Sequence, residues 1–304
     1  MSILVVGSIA LDTVKTPSGM VKDVLGGSAT YFSVSASFFS PVNLVAVVGT
    51  DFPSKYIEIF KKRNIDLKGL TIKEGKTFRW QAEYSYDLNN VNTISTQLNV
   101  FSDFRPKIPD EYKKSEFVFL ANIDPKLQNY ILSQVNSPKL VASDTMSHWI
   151  KTASKELINF LKKVDIFFLN DTEARLLTGK NNLLEAAKTI LKFGPKRIII
   201  KKGEHGAMMI SKNSFFCLPS FLLKKVYDPT GAGDTFAGGL IGYLAMKKNI
   251  DERSLRKALV YGTVMATFAI EDFSLRRMLK IKMNDIKKRL KEFCNLARFD
   301  YDRL

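Results

Sequence analysis

Four apolar runs, EFVFL, KLVAS, DIFFL and KRIII, fall between residues 116 and 200. Between them lie PKLQNYILSQV, ASKELINFLKKV, DTEARLLTG and LLEAAKTILKFG, which carry helical periodicity. A strand with one wet face alternates apolar and polar residues. These runs do not alternate, so each belongs to a strand covered on both faces, as in a parallel sheet with crossover helices. The pattern extends upstream through ILVVGSI and VNLVAVVG, with the helical segments YFSVSASFF and PSKYIEIFKKRN. Pro53 suits the first turn of the second of these, where its missing N–H is not needed. Downstream, GAMMIS and SFFCLP read as a short antiparallel pair, and GDTFAGGLIGYLAMKK and DERSLRKALVYGTVMATFAI as two long helices. This rhythm predicts an α/β fold, a three-layer α/β/α core around a mostly parallel central sheet. Ligands of such sheets gather at the carboxyl ends of the strands. Asp12, Asn122, Asp144, Asn170 and Gly203 are expected there.

Residues 70–100 break the rhythm. TFRWQAEYSY and VNTISTQLNV are rich in β-branched and aromatic residues, with DLNN as a turn between them, and predict an antiparallel hairpin. Phe78, Trp80, Ala82 and Tyr84 share one face by period two, and Arg79, Gln81 and Glu83 the other. A second extended piece, from Thr13 to Val24, is expected to pair with the hairpin. The chain therefore reads as one domain over residues 1–304, with a small β lid from about 12–24 and 74–100. The aromatic face packs on a bound small molecule, on the core or on a second lid, the last of which would make a homodimer. In the basic tail LRRMLKIKMNDIKKRLKEF, Leu279, Met283, Ile286, Leu290 and Phe293 recur at helical spacing. They predict one surface helix with an apolar face and a solvated basic one.

Composition narrows the function classes. Hydrophobic residues make up 45% and charged residues 25%, as in ordinary soluble domains. No apolar run approaches the roughly 18 residues of a membrane span, and MSILVVGSIALD lacks the basic lead and cleavage site of a signal peptide. No membrane partner is expected. Cys217 and Cys294 are far apart and outside any metal-like spacing, which fits free thiols in a reducing cytoplasm. His148 and His205 stand outside any ligand cluster, so no zinc site is expected. The net charge is +16, from 46 basic and 30 acidic residues. Outside the tail this charge is scattered, which fits a general compositional bias toward Lys, Asn, Ile and Phe together with a polyanionic small substrate better than a nucleic-acid partner.

The stretch DPTGAGDTFAGG, residues 228–239, lies between an extended segment and a long helix. Gly231 and Gly233 let backbone N–H groups approach a ligand without a Cβ in the way. The helix start adds unpaired donors and the positive end of its dipole, which together make an anion site. The chain contains no G-x-x-x-x-G-K-[ST] and no G-x-G-x-x-G after its first strand, so neither a P-loop nor a dinucleotide-binding turn is indicated. Asp234 is the odd member, since a carboxylate repels phosphate. It serves as a base if an alcohol beside the phosphate must lose a proton, or it stabilises the first helical turn.

DPTGAGDTFAGGLI resembles the C-terminal signature of the ribokinase-like, or PfkB, family of carbohydrate and nucleoside kinases, at every defined position. The resemblance covers nearly the whole chain, with the elements in the same order. GSIALD, ending at Asp12, is similar to the family's opening strand and its substrate-binding Asp. Gly26 and Gly27 match the substrate-side diglycine, VVGTDFP the G-x-D element, NDTE the N-x-x-E motif, and KKGEHGA the G-x-x-G nucleotide loop. The hairpin matches the family's lid.

The resemblance implies a ribokinase-like fold and an ATP-dependent phosphotransferase acting on a primary hydroxyl. Asp234 would take the proton, while the N–H groups of Gly231, Ala232, Gly233 and Asp234 hold charge developing on the γ-phosphoryl group. Asn170 and Glu173 would organise magnesium and its waters on the ATP side, although the same spacing is a helix N-cap with an acidic first turn. Lys201 stands where many relatives carry Thr; it reaches a phosphate or is a solvated strand-end lysine. Gly203 and Gly206 would shape the turn over ATP. Gly262 and Ala266 would flank the adenine, or serve helix packing. Asp228 and Thr230 match a monovalent-cation site, often potassium, although IEDFS further on departs from the commoner pattern.

On the acceptor side, Asp12, Gly26 and Gly27 match, but GGSATYFS places Tyr31 where the family usually has a sugar-binding Asn. An aromatic ring there packs on a base or a less polar acceptor. The expected substrate is a ribose-like sugar or a nucleoside. Two rival functions remain at this point: a non-catalytic sugar- or nucleotide-binding protein on the same fold, and a basic nucleic-acid-binding protein led by its tail.

Overall fold

In the computed structural model, which describes residues 2–297, every apolar run above forms a strand. The first half contains β1 (Ile3–Val6), β2 (Ala10–Thr16), β3 (Gly19–Gly26), α1 (Ser28–Ala36), β4 (Val42–Gly49), α2 (Ser54–Lys62), β5 (Ile65–Lys73), β6 (Arg79–Tyr84), β7 (Val91–Gln97) and β8 (Phe117–Leu120). The middle continues with α3 (Pro125–Leu132), β9 (Leu140–Asp144), α4 (Ser147–Thr152), α5 (Ser154–Leu161), β10 (Ile166–Asn170), α6 (Asp171–Thr178), α7 (Leu183–Leu191) and β11 (Arg197–Lys201). The last part holds β12 (Ala207–Ser211), β13 (Phe215–Leu218), α8 (Ala232–Lys247), α9 (Glu252–Ala269), α10 (Arg276–Lys280) and α11 (Met283–Leu296).

The large sheet has the order β13-β12-β11-β10-β9-β8-β1-β4-β5, parallel except for the antiparallel pairings of β12 with β11 and β13. Because side chains alternate across a strand, its buried residues divide between two cores. Val5, Phe119, Ala142, Phe168 and Ile199 pack under α1, α8 and α9. Val6, Leu120, Val141, Leu169 and Ile198 pack against α3, α5, α6 and α7. Phe32 of α1 stacks on Phe119 at 4.0 Å between ring centres. Each fully buried side chain of this size contributes roughly 1.5–3 kcal/mol. The result is the expected three-layer α/β/α arrangement.

A second sheet of four strands, β3-β2-β6-β7, contains two antiparallel hairpins joined by parallel pairing of β2 with β6. Trp80 and Tyr84 of β6 pack with Val14, Val21 and Phe273. Phe78 leaves that face; it precedes β6 and stacks on Phe101 at 5.6 Å. Asp12 also differs from expectation. β1 ends at Val6, the chain crosses over, and Asp12 sits in β2 of the small sheet rather than at the end of the first strand.

Two elements escaped the sequence pattern. β5 is an edge strand whose Lys68, Thr71 and Lys73 give no continuous apolar run. α4 is a single short segment after Asp144. The basic tail is two helices, not one. Buried Ile281 is extended (ψ 152°) and ends α10, so that Met278, Ile286 and Phe293 all reach the core. Its basic side chains are not all solvated: Arg277 and Arg289 both pair with Glu271, and Arg289 lies 3.7 Å from the centre of the Phe268 ring. Among the described residues, no helix is long and apolar enough to cross a membrane.

Candidate active site

The DPTGAGD stretch forms the entry into α8. Asp228 is buried and accepts hydrogen bonds from the Thr230 N–H (2.9 Å) and the Ser274 N–H (3.4 Å), so it staples this loop to the turn before α10. Gly231 is left-handed (φ 74°) and caps α8. A Cβ there would collide with the Tyr31 ring, which supports the loop from below. Tyr31 is almost fully buried (2% exposed), so its ring is a floor for Gly231 rather than an open platform. The Ala232 N–H already donates to Pro229 O at 3.2 Å. The N–H groups of Gly233 and Asp234 lie in the first turn, ahead of any partner within the helix.

Asp234 is enclosed in this turn. Burial and the negative charge of Asp144 push its carboxyl up to about 8, against the pull of Lys201. Lys201, at the end of β11, is not a solvated lysine: its ammonium donates to Asp144 Oδ2 at 2.7 Å. A Cβ on Gly233 would lie 2.9 Å from Lys201 Nζ, so the ammonium touches the DPTGAGD loop from the sheet side. Burial works against its charge, but Asp144 and Glu173 outweigh burial and raise its pKa. Asp144 was visible in the sequence only as a polar strand end; its pairing needed the spacing of β9 and β11 across β10.

Asn170 and Glu173 form a reciprocal capping box at α6. Glu173 N–H donates to Asn170 Oδ1, and Asn170 N–H to Glu173 Oε2, each at 2.7 Å. Glu173 is pushed up to about 7 by burial, with Lys201 opposing and Asp144 adding to the shift. Beside them, Lys202 N–H donates to Gly206 O at 2.8 Å, closing the turn that holds Gly203 and Gly206. Gly203 faces open space, whereas a Cβ on Gly206 would collide with Leu218 O. Gly262 sits where α9 crosses α8, and a Cβ there would be 2.8 Å from Phe236 O, so its space is filled by the neighbouring helix. Ala266 is half-buried and packs against the same core.

Asp12 and the diglycine act as one unit. A Cβ on Gly26 would collide with the Asp12 carboxylate, and the Gly27 N–H bonds to it. Burial and the charge of Asp228 push Asp12 up to about 8. The small sheet reaches the DPTGAGD loop directly: Thr230 Oγ1 donates to Tyr84 Oη at 3.1 Å, and Thr16 Oγ1 to Tyr227 O at 2.8 Å. Asp51 of the G-x-D element accepts from Thr77 N–H (2.7 Å), Thr77 Oγ1 (2.6 Å) and Arg79 (2.9 Å), and so anchors the base of β6. Tyr84 and Asp51 were not recognisable as site residues from spacing, because their partners lie far along the chain.

Comparison with known proteins identifies the family. The sequence pattern of the pfkB family carbohydrate kinases matches residues 2–282. The chain belongs to the pfkB family. It is therefore a kinase of the carbohydrate and nucleoside type. A cytidine kinase of Thermococcus kodakarensis is 28% identical over 258 residues, which cover 83% of this chain and 91% of that one. An inositol 3-kinase of Arabidopsis thaliana is 23% identical over 303 residues, covering 97% and 82%. Among solved structures, the nucleoside kinase of Methanocaldococcus jannaschii, a member of the ribokinase family, superposes with a TM-score of 0.77 at 22% identity, covering 96% of this pfkB chain and 98% of that one. The fold is thus ribokinase-like.

Proposed function

We propose that this kinase moves the γ-phosphoryl group of ATP to a primary hydroxyl of a nucleoside or ribose-like sugar, with Asp234 as base. The single observation that carries this reading is the position of Asp234. Its carboxyl lies in the first turn of α8, within the electrostatic reach of the Lys201 ammonium and of the Asp12 and Asp144 carboxylates. The acceptor oxygen forms its bond to phosphorus as the bond to ADP breaks, and the hydroxyl proton passes to Asp234. The Gly233 and Asp234 N–H groups, with Lys201, would stabilise the charge spread over the phosphoryl oxygens. The Ala232 N–H would join them by giving up its bond to Pro229.

Among the described residues no cluster of three acidic, His or Cys side chains forms a ready cage for a metal. Magnesium is held mostly by phosphate oxygens and water with one or two carboxylates, which the single carboxylate of Glu173 beside Asn170 suits. Glu173 and Asn170 would hold its waters, and the ion would neutralise phosphate charge. Potassium belongs to the same proposal: Asp228 and Thr230 would face it. The small sheet is read as a lid over the acceptor, carrying Asp12 and Tyr84 to it. Gly203 would line the ATP side, where its open face leaves room. The two exposed, free cysteines fit a cytoplasmic setting.

The test is acceptor-dependent ATP consumption across nucleosides, pentoses, hexoses and inositols, each with and without potassium. Turnover is expected with a nucleoside or pentose. Tight binding of such ligands with no ATP consumption would make the chain a binding protein instead.

A further inference from the structure

We propose that Asp144 is a positioning residue of the phosphoryl-transfer centre, pinning the Lys201 ammonium beneath the anion loop and beside Asp234. The inference rests on the kinase reading above and names a residue that reading does not use. Lys201 has a long, flexible stem whose ammonium would otherwise find water. Three features fix it instead. Its Nζ is 2.7 Å from Asp144 Oδ2, and this side-chain pair is largely shielded from solvent (19% and 5% exposed). Asp144 ends β9 and Lys201 ends β11, so the pair spans the carboxyl end of β10 beside Asn170. The missing Cβ of Gly233 leaves the room the ammonium fills, since that atom would stand 2.9 Å from Nζ. Asp144 is held in turn, because its Oδ1 accepts the Thr145 N–H at 2.9 Å.

A buried ion pair is weak evidence for stability, because desolvation offsets most of its attraction. Its value here is placement: a full positive charge sits against backbone donors before any phosphate arrives, so none has to be brought up during transfer. The pair also sets the surroundings of the base. The groups facing Asp234 are Asp144 from β9, Lys201 from β11, Asp12 from β2, Tyr31 from α1 and its own N–H. Removing Asp144 takes away a negative neighbour and frees the lysine; removing Lys201 takes away the positive one. The two substitutions therefore move the Asp234 titration in opposite directions, which loss of packing does not do.

The experiment compares Asp144→Asn, Lys201→Met and the double variant. Asp144→Asn is expected to lower kcat by roughly 10²-fold, the cost of an ångström-scale misplacement, with the acceptor KM little changed. Lys201→Met is expected to lower it by about 10²–10³-fold, and the double variant to match Lys201→Met alone, because Asp144 acts through Lys201. The double variant should also melt above Lys201→Met, which leaves Asp144 as an unpaired buried charge. In the ligand-free protein, the Asp234 carboxyl carbon is titrated by NMR and assigned with Asp234→Asn. Its midpoint should fall in Asp144→Asn and rise in Lys201→Met. Unmoved midpoints, or effects on kcat that multiply in the double variant, overturn the proposal. If the midpoints move as stated while the wild type phosphorylates no acceptor, the kinase reading falls and the pairing stands.

Discussion

The two ends of the GAGDTFAGG stretch use the same small residues for opposite purposes. Gly231 and Gly233 are half-buried at the mouth of α8, one resting on the Tyr31 ring and the other leaving room for the Lys201 ammonium. Gly238 and Gly239, one to two turns further, are fully enclosed. A Cβ on Gly238 would collide with Phe32 O of α1, and one on Gly239 would be 2.8 Å from Met265 Cγ of α9. The first pair makes room for a charge, the second for two helices. A glycine-rich signature is therefore a packing joint at one end and, in the proposed function, a chemical site at the other.

Substitutions at the two ends should separate these roles. The largest effect is expected at the mouth: Asp234→Asn lowers kcat by about 10²–10⁴-fold while ATP still binds, and turnover near that of the wild type would remove Asp234 from the chemistry. Gly239→Ala, in the joint, is expected to cost roughly 1–3 kcal/mol of stability through overpacking. The kcat of the folded fraction should stay unchanged; a loss of kcat at full stability would erase the distinction. Tyr84→Phe removes a single hydrogen bond to Thr230, worth about 0.5–1.5 kcal/mol. It should change acceptor kcat/KM by a factor of several, leave binding of ATP alone unchanged, and so measure how tightly the proposed lid is coupled to the anion loop.

The smallest effect concerns pH. Asp12 and Asp234 are held near 8 in the folded chain, against an ordinary 3.8. At these two groups the folded state therefore binds more protons than the unfolded one, and their contribution to stability is fully present below about pH 4 and lost as the pH climbs through 8. Asp234→Asn should flatten that fall, raising the melting temperature at pH 8 by a few degrees with little change at pH 4. Activity should run the other way if Asp234 is the proposed base, which must be ionised to act: kcat/KM is expected to rise with pH toward 8. A wild-type melting temperature that is flat between pH 4 and 8 would show that these carboxyls are not held neutral.

What was legible early was whatever repeats locally. The unbroken apolar strands gave the sheet and its two covered faces, and the aromatic hairpin gave the second sheet. The capping box at Asn170 and Glu173 follows from spacing alone. β5 was missed because an edge strand with lysines lacks the buried-strand signature. The tail was read as one helix because the spacing of Leu279, Met283 and Ile286 survives a break at Ile281, whose side chain prefers the core to the helix. Nothing near Tyr31 in the chain reveals that Gly231 lies on its ring, so spacing alone leaves the ring free to be a platform for the acceptor.

By itself, then, the sequence determined the periods and the motif: which segments are buried on both faces, where a helix begins with glycines, and which Asp stands in its first turn. Those properties are fixed within a few residues by backbone geometry and side-chain alternation. Tertiary structure alone decided the charges. Whether Asp234 is held protonated and Lys201 held charged depends on Asp144, Glu173 and Asp12, which arrive from β9, α6 and β2. Electrostatic energy depends on distance and burial, and neither is written in the spacing of residues along the chain.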